Sequence, residues 1–393
     1  MTITIGYTER YLGWTGSHAS PQRARLAVEH ILARTEDDGI AVTMLEPQLD
    51  QDHARDCLSL VHHADYLKRQ MKGEQGKIAT LMFLGTEILV RQIEQDGFKP
   101  QVYFNPQGAK HHAAFRNASG FCWFNDHAWA AQYFAAQGMR VAYLDWDAHH
   151  GDGVENLTRD NPNILTASIH EWGIFPGTGK RTSHKNRTYN YPLDAGDGDA
   201  ELLEAVEDAL YAIRDFDPQI ILLACGADGL RQDPLAGLTY TIEHGIIPAA
   251  HAVGQLAYEL GVPVLVGGAG GYTPYTYVPV AWAETILAIH EELEGRSTLT
   301  AWHTATEEVA EPAYEDAPWD DRQDDTRARK QAILDDLKDY PVLEWENLLT
   351  REEFEIVQAE ITPQIMAAME AATGATPSRK QARNTKRRAA KKG

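Results

Sequence analysis

At 393 residues with 43% hydrophobic content, the chain can bury a full α/β core and still carry an extension. Its net charge of −21 argues against an electrostatic nucleic-acid binder and favours cationic partners, lysine-rich segments among them. No apolar run is long enough to span a membrane, no basic-then-apolar leader opens the chain, and Cys57, Cys122 and Cys225 make no paired framework, so a cytoplasmic protein is expected.

In chain order, near-continuous apolar runs at residues 101–104, 141–146, 164–169, 220–225 and 262–266 read as strands buried on both faces. Helical patterns over residues 126–137, 200–214 and 243–260 lie between them. This alternation predicts an α/β fold around a parallel sheet. Residues 295–324 turn rich in Glu, Asp, Thr and Pro and read as a linker, and residues 350–353 have capping-box spacing. Residues 378–393 hold eight Lys/Arg and no acid, the composition of a disordered basic tail.

The stretch DWDAHHGDG, residues 145–153, follows an apolar strand and concentrates carboxylates with imidazoles. Buried charges are costly unless paired or bound to something. If the stretch is extended, Asp145, Asp147 and His149 share one face, beyond the carboxyl end of a strand where open α/β sheets bind ligands. An imidazole and a carboxylate suit zinc, which takes three protein ligands in catalytic sites. A third candidate is Asp228, just past the strand at 220–225; taken alone it could equally cap a helix. Tyr272 follows the glycine-rich GGAGG and could donate to a developing oxyanion. The adjacent His111 and His112 suit acid–base work, with Asp145 and Asp152 as carboxylates to orient them. One metal, two carboxylate-backed histidines and a tyrosine donor suit metal-assisted hydrolysis of an amide.

The segments GAKHHAAFRNASGFCWFND, YLDWDAHHGDGVEN, SIHEWGIFPGTG, GADGLRQDP and GGAGGY occur in the order of the zinc-dependent histone deacetylase motifs. From about residue 5 to about residue 292 the chain resembles that family, in wording closest to its bacterial acetoin-utilisation branch. The resemblance implies a three-layer α/β fold, an eight-stranded parallel sheet flanked by helices, shared with arginases. It implies zinc on Asp147, His149 and Asp228, with iron(II) as the alternative metal. It pairs His111 with Asp145 and His112 with Asp152, makes His112 the general base and acid, and has Tyr272 polarise the carbonyl. Phe121 and Phe175 match the walls of an acyl-lysine tunnel, Gly120 a backbone contact to substrate, Leu235 the tunnel rim, and Arg23 an internal acetate channel. A structural potassium ion would use Asp145, Asp147, His149, Ser168 and Ile169, largely through carbonyls. The implied substrate is an acylated lysine of a protein, and the branch points to a metabolic enzyme such as an acetyl-CoA synthetase. The expected organisation is a deacetylase domain over 1–300, an acidic, partly helical extension over 301–377 and the basic tail over 378–393. Two departures stand out: Ala269 replaces a common glycine, and residues 72–83 offer no position for the family's substrate-gripping aspartate.

Three alternatives compete. An arginase-like two-metal enzyme needs a second carboxylate cluster, and Asp228 is alone after its strand. A non-catalytic scaffold binding acyl-lysine, or nucleic acid through the tail, leaves His112 and Tyr272 without a task. An acetylpolyamine amidohydrolase shares the chemistry; the acidic body suits it, whereas Leu235 at the rim, where an acid would hold a polyamine, does not.

Overall fold

The computed structural model describes residues 2–15 and 20–295; the expected extension and basic tail lie outside the described residues. Eight strands form one sheet: β1 (Thr2–Gly6), β2 (Ala41–Leu45), β3 (Val102–Asn105), β4 (Val141–Asp145), β5 (Ile164–Glu171), β6 (Thr188–Leu193), β7 (Ile220–Ala224) and β8 (Val264–Gly267). Their spatial order is β2-β1-β3-β8-β7-β4-β5-β6, and every neighbouring pair is parallel. The expected eight-stranded parallel sheet is therefore present.

The five runs read as strands are β3, β4, β5, β7 and β8, each buried along its whole length. Burial on both faces makes such strands continuously apolar, which is why they stand out. β2 is an edge strand exposed or half-exposed throughout, and β6, at the other edge, carries Pro192. Edge strands alternate in polarity and tolerate proline, so an apolar-run criterion passes over them. β1 interleaves threonines with its isoleucines and escapes for the same reason.

The helices are α1 (Gln22–Asp38), α2 (Gln51–Leu58), α3 (Ala64–Gln70), α4 (Gly73–Gln95), α5 (Asp126–Ala136), α6 (Asp152–Thr158), α7 (Asp199–Phe216), α8 (Ile247–Leu260) and α9 (Tyr277–Leu293). One group runs α1–α9–α8–α7 in mutual contact, and another runs α4–α5–α6. They flank the sheet as outer layers. The helix expected over residues 243–260 divides: Ile242–Ile246 forms a wide π-type turn before α8. Pro248 explains the division, since it has no N–H for a regular α-turn.

The topology places the chemistry. β3, β8, β7 and β4 are the four central neighbours of the sheet. The loops leaving their carboxyl ends carry, in that spatial order, the His111–His112 pair, Tyr272, Asp228 and the residues after Asp145. Segments far apart in sequence thus converge over one crevice.

Candidate active site

β4 ends at Asp145, so Asp147 and His149 sit in a loop and not on an extended strand. Their shared side has another origin. Asp145 Oδ1 accepts the Asp147 N–H at 2.9 Å, and Asp147 Oδ1 accepts the His149 N–H at 2.9 Å. Each carboxylate caps the amide two residues on, so the loop keeps every second side chain on the same side.

Asp147, His149 and Asp228 are all buried, and one ligand atom from each lies within 4.8 Å of the others. His149 Nδ1 stands 2.8 Å from Asp228 Oδ2 and 3.2 Å from Asp147 Oδ1. The remaining carboxylate oxygens are held from behind: the Ala148 N–H donates to Asp228 Oδ1 at 2.8 Å, and the Gly270 N–H to Asp147 Oδ2 at 2.6 Å. Asp228 is thus aimed at the cluster, and the helix-cap alternative falls away. Burial, then the neighbouring Asp147 charge, pushes the Asp228 carboxyl up to about 6. Burial opposes charge on His149 as well, yet Asp228 and Asp147 raise its imidazole to about 11. Two buried carboxylates at this spacing demand a cation, and a nitrogen–oxygen donor set of this kind fits a divalent metal such as zinc. Of the residues of the expected potassium site, Ser168 pairs in register with Asp145 across β4 and β5 and Ile169 follows it, buried, whereas Asp147 and His149 lie in the loop after β4.

The rings of the two histidines lie side by side, tilted 47° to each other, with centroids 4.0 Å apart. His111 Nδ1 meets Asp145 Oδ2 at 2.7 Å, and His112 Nδ1 meets Asp152 Oδ1 at 2.7 Å. Their environments drive them apart. Burial opposes charge on His111, but the Asp145 and Asp147 charges outweigh it and raise the ring to about 9. Burial, reinforced by the His111 charge, lowers His112 to about 4 despite its bond to Asp152. A charged and a neutral imidazole side by side are an electrostatic partner and a base. Burial and the nearby Asp228 and Asp147 charges push the Tyr272 hydroxyl well above its ordinary value, so it stays a neutral donor.

A cavity of about 630 Å³ opens over this group, lined by Phe121, Phe175, Leu235, His112, His149 and Tyr272 among others. Phe121, Phe175 and Leu235 are exposed at its mouth. Gly120 and Phe121 both adopt left-handed backbone, with φ of 50° and 62°. At Gly120 a side chain is excluded twice over, because a Cβ would strike the His112 ring and crowd Phe175. Gly120→Ala should cost at least about 1–2 kcal/mol of stability from backbone strain alone, measured by chemical denaturation, and should impair turnover as well. Arg23, 2% exposed, donates from Nη1 to the Gly271 carbonyl at 2.5 Å and lies over Trp282, behind the site. Ala269 has a φ of 57°, so the loop before Tyr272 keeps the conformation a glycine would adopt.

Several contributors carry no sequence signal of their own. Asp126, buried at the start of α5, accepts the N–H groups of Ala109 at 3.0 Å and Lys110 at 2.8 Å, fixing the histidine loop. The Tyr143 hydroxyl donates to Asp145 Oδ2 at 2.5 Å, on the oxygen that holds His111. Asp233 accepts from the Leu235 N–H at 3.0 Å and the Tyr272 N–H at 2.6 Å, tying the rim to the carbonyl donor. Its place in the quoted GADGLRQDP is the one signal that could have found it. Residues 72–83, which offer no position for a substrate-gripping aspartate, belong mostly to α4, whose Ala79, Met82 and Phe83 line an inner cavity instead.

Comparison with known proteins agrees with this geometry. Acetoin utilization protein AcuC of Bacillus subtilis is 44% identical over 190 residues, which cover 46% of this chain and 49% of that protein. AcuC of Staphylococcus aureus is 37% identical over 196 residues, covering 47% and 50%. Histone deacetylase clr6 of Schizosaccharomyces pombe is 35% identical over 202 residues, covering 49% and 48%. The chain spans about half the length of each of these relatives. The histone deacetylase domain model matches residues 18–289, a span that contains every residue of the crevice described above. With that match over most of its length, the chain belongs to the histone deacetylase domain family.

Proposed function

We propose that this chain is a zinc-dependent amidohydrolase that cleaves the Nε-acyl group of lysine in a protein substrate, acetyl in the simplest case, releasing a carboxylate and free lysine. The observation that carries this reading is the buried Asp147–His149–Asp228 cluster facing a neutral His112 and the Tyr272 donor at the floor of an aromatic-walled cavity. When bound, zinc would acidify a water molecule and polarise the amide carbonyl; iron(II) would suit the same donors. Potassium on Asp145, Asp147, His149, Ser168 and Ile169 would serve a structural role. The three cysteines are all free thiols, which suits a reducing cytoplasm.

The chain's own groups supply the rest. Phe121 and Phe175 flank an extended alkyl stem, as lysine has, and set its ε-amide toward Tyr272. His112 Nδ1–H donates to Asp152, which leaves Nε2 to take a proton from water and return it to the departing amine. His111, charged and held by Asp145, lends positive potential beside that base. The Tyr272 O–H donates to the carbonyl oxygen as negative charge grows there.

Among the described residues, no acidic one lines the 630 Å³ cavity, and Leu235 occupies its rim. That supports a lysine of a protein, such as an acetyl-CoA synthetase, over an acetylpolyamine, whose second ammonium would find no counter-charge. The deciding experiment compares an acetyl-lysine peptide with acetylspermidine, using metal-loaded and chelator-treated protein. Chelator-sensitive cleavage of the peptide is expected; cleavage of the polyamine alone would overturn the substrate assignment. Tyr272→Phe should lower kcat by about 10²–10³ with metal content unchanged, measured by steady-state kinetics and elemental analysis.

A further inference from the structure

A second cluster of metal-ligating side chains lies where α2 meets α4. His53 and Cys57, one turn apart on α2, share a face of that helix, and Glu87 reaches them from α4. One ligand atom from each lies within 4.8 Å of the others. None of the three lines either cavity at the candidate active site. The cluster is held from outside. Asp50 Oδ1 accepts the His53 N–H at 3.0 Å and so fixes the first turn of α2. Arg91 Nε donates to Glu87 Oε1 at 2.9 Å, while its Nη1 donates to Glu94 Oε2 at 3.2 Å. Glu87 is buried, Cys57 half-buried, and the His53 ring opens to solvent.

Protein partners alone leave the cluster mismatched. His53 Nε2 stands 2.9 Å from Glu87 Oε1 and 3.7 Å from Cys57 Sγ. One ring nitrogen cannot donate to the carboxylate and accept from the thiol at once. Arg91 uses the same Glu87 oxygen, and among the described residues Oε2 has no protein partner. Glu87 and Glu94 against Arg91 leave one net negative charge here. A divalent ion with Cys57 as thiolate would bring that charge to zero, the thiol proton passing to solvent. Around tetrahedral zinc, sulfur and nitrogen ligands stand about 3.5 Å apart, and nitrogen and oxygen about 3.4 Å. The Sγ–Nε2 separation already fits, and the Glu87 carboxylate needs to draw back by about half an ångström. Imidazole, thiolate and carboxylate are zinc donors, and a thiolate disfavours magnesium and calcium.

We propose that His53, Cys57 and Glu87 form a second metal site, for zinc or a similar soft divalent ion, that clasps α2 to α4. Water completes the coordination on the exposed side of His53. The site is separate from the Asp147–His149–Asp228 cluster and does not depend on what the chain hydrolyses.

The test titrates the chelator-treated full chain with cobalt(II), which reports thiolate ligation by a charge-transfer band in the near ultraviolet. The Asp147–His149–Asp228 cluster contains no sulfur, so the band reports this site alone. Two bound equivalents are expected, one of them bringing the band, with a Kd on the order of 1 µM or tighter. Added zinc should displace that cobalt and bleach the band. Cys57→Ser, a nearly isosteric change, should abolish the band and leave one equivalent, with folding checked by circular dichroism. His53→Gln and Glu87→Gln should each weaken binding of the band-giving cobalt by about tenfold or more. Asp228→Asn, which removes the catalytic ion, should keep the band. A single equivalent with no band overturns the site. A band that survives Cys57→Ser places the sulfur elsewhere and overturns it as well. A band lost with Cys57 but untouched by both His53→Gln and Glu87→Gln overturns the clasp between the helices.

Discussion

Asp228→Asn should yield a folded protein that no longer retains its metal and whose hydrolysis falls to background. The substitution is nearly isosteric. The Asn Oδ1 can still accept the Ala148 N–H, which now meets Asp228 Oδ1 at 2.8 Å, so the backbone of the metal loop keeps its support. What changes is the other oxygen, Oδ2, 2.8 Å from His149 Nδ1, where a neutral NH₂ replaces half of a carboxylate. A metal held by two carboxylates and one imidazole then loses a charge and a ligand together. Loss of even a supporting partner costs about 10–100-fold in affinity, and loss of a ligand should exceed that. The same change relieves repulsion in the metal-free protein, where burial and the Asp147 charge push Asp228 up to about 6. Metal-free Asp228→Asn should therefore unfold at a denaturant concentration no lower than the metal-free parent. Elemental analysis and denaturation together decide: full metal retention would remove Asp228 from the ligand set, and a large loss of apo stability would make it a structural group.

The reach of the sequence depended on how each residue announces itself. Central strands such as β4 and β7 are apolar on both faces and could be placed within a residue or two. The edge strands β2 and β6 pack one face at most and look like ordinary loop sequence. The structure brings Asp147 and His149 to one side for a reason extended-strand geometry does not supply, since side-chain-to-amide bonds hold them together in a loop. Asp228 gained meaning only from partners about 80 positions away, and the sheet order β7–β4 is what unites them. Groups that act on other groups stayed silent. Tyr143 lies inside an apolar strand, and Asp126 looks like any acid at the start of a helix.

His112→Ala should lower kcat by about 10²–10⁴, the range for a general base, while metal content stays that of the parent. His112 is not a member of the ligand cluster, and its Nδ1 is committed to Asp152. Loss of the ring therefore removes a proton carrier and leaves the metal's donors in place. The pH profile gives the sharper discrimination. A base works only when neutral, so activity is present above its pKa and lost as pH falls through it. Burial, and next the His111 charge, depress His112 from an ordinary 6.5 to about 4. The acid limb of kcat/KM should accordingly lie below pH 6.5, with metal content measured at each pH to separate protonation of the base from metal release. In Asp152→Asn the bond that raises His112 is weakened, so the limb should move lower still while the rate at neutral pH drops, because the imidazole loses the partner that fixes its tautomer. An acid limb centred at or above 6.5 with metal retained, or a His112→Ala protein as fast as its parent, would assign the base to another group, and His111 could not take that place unaltered because Asp145 and Asp147 hold it protonated to about 9.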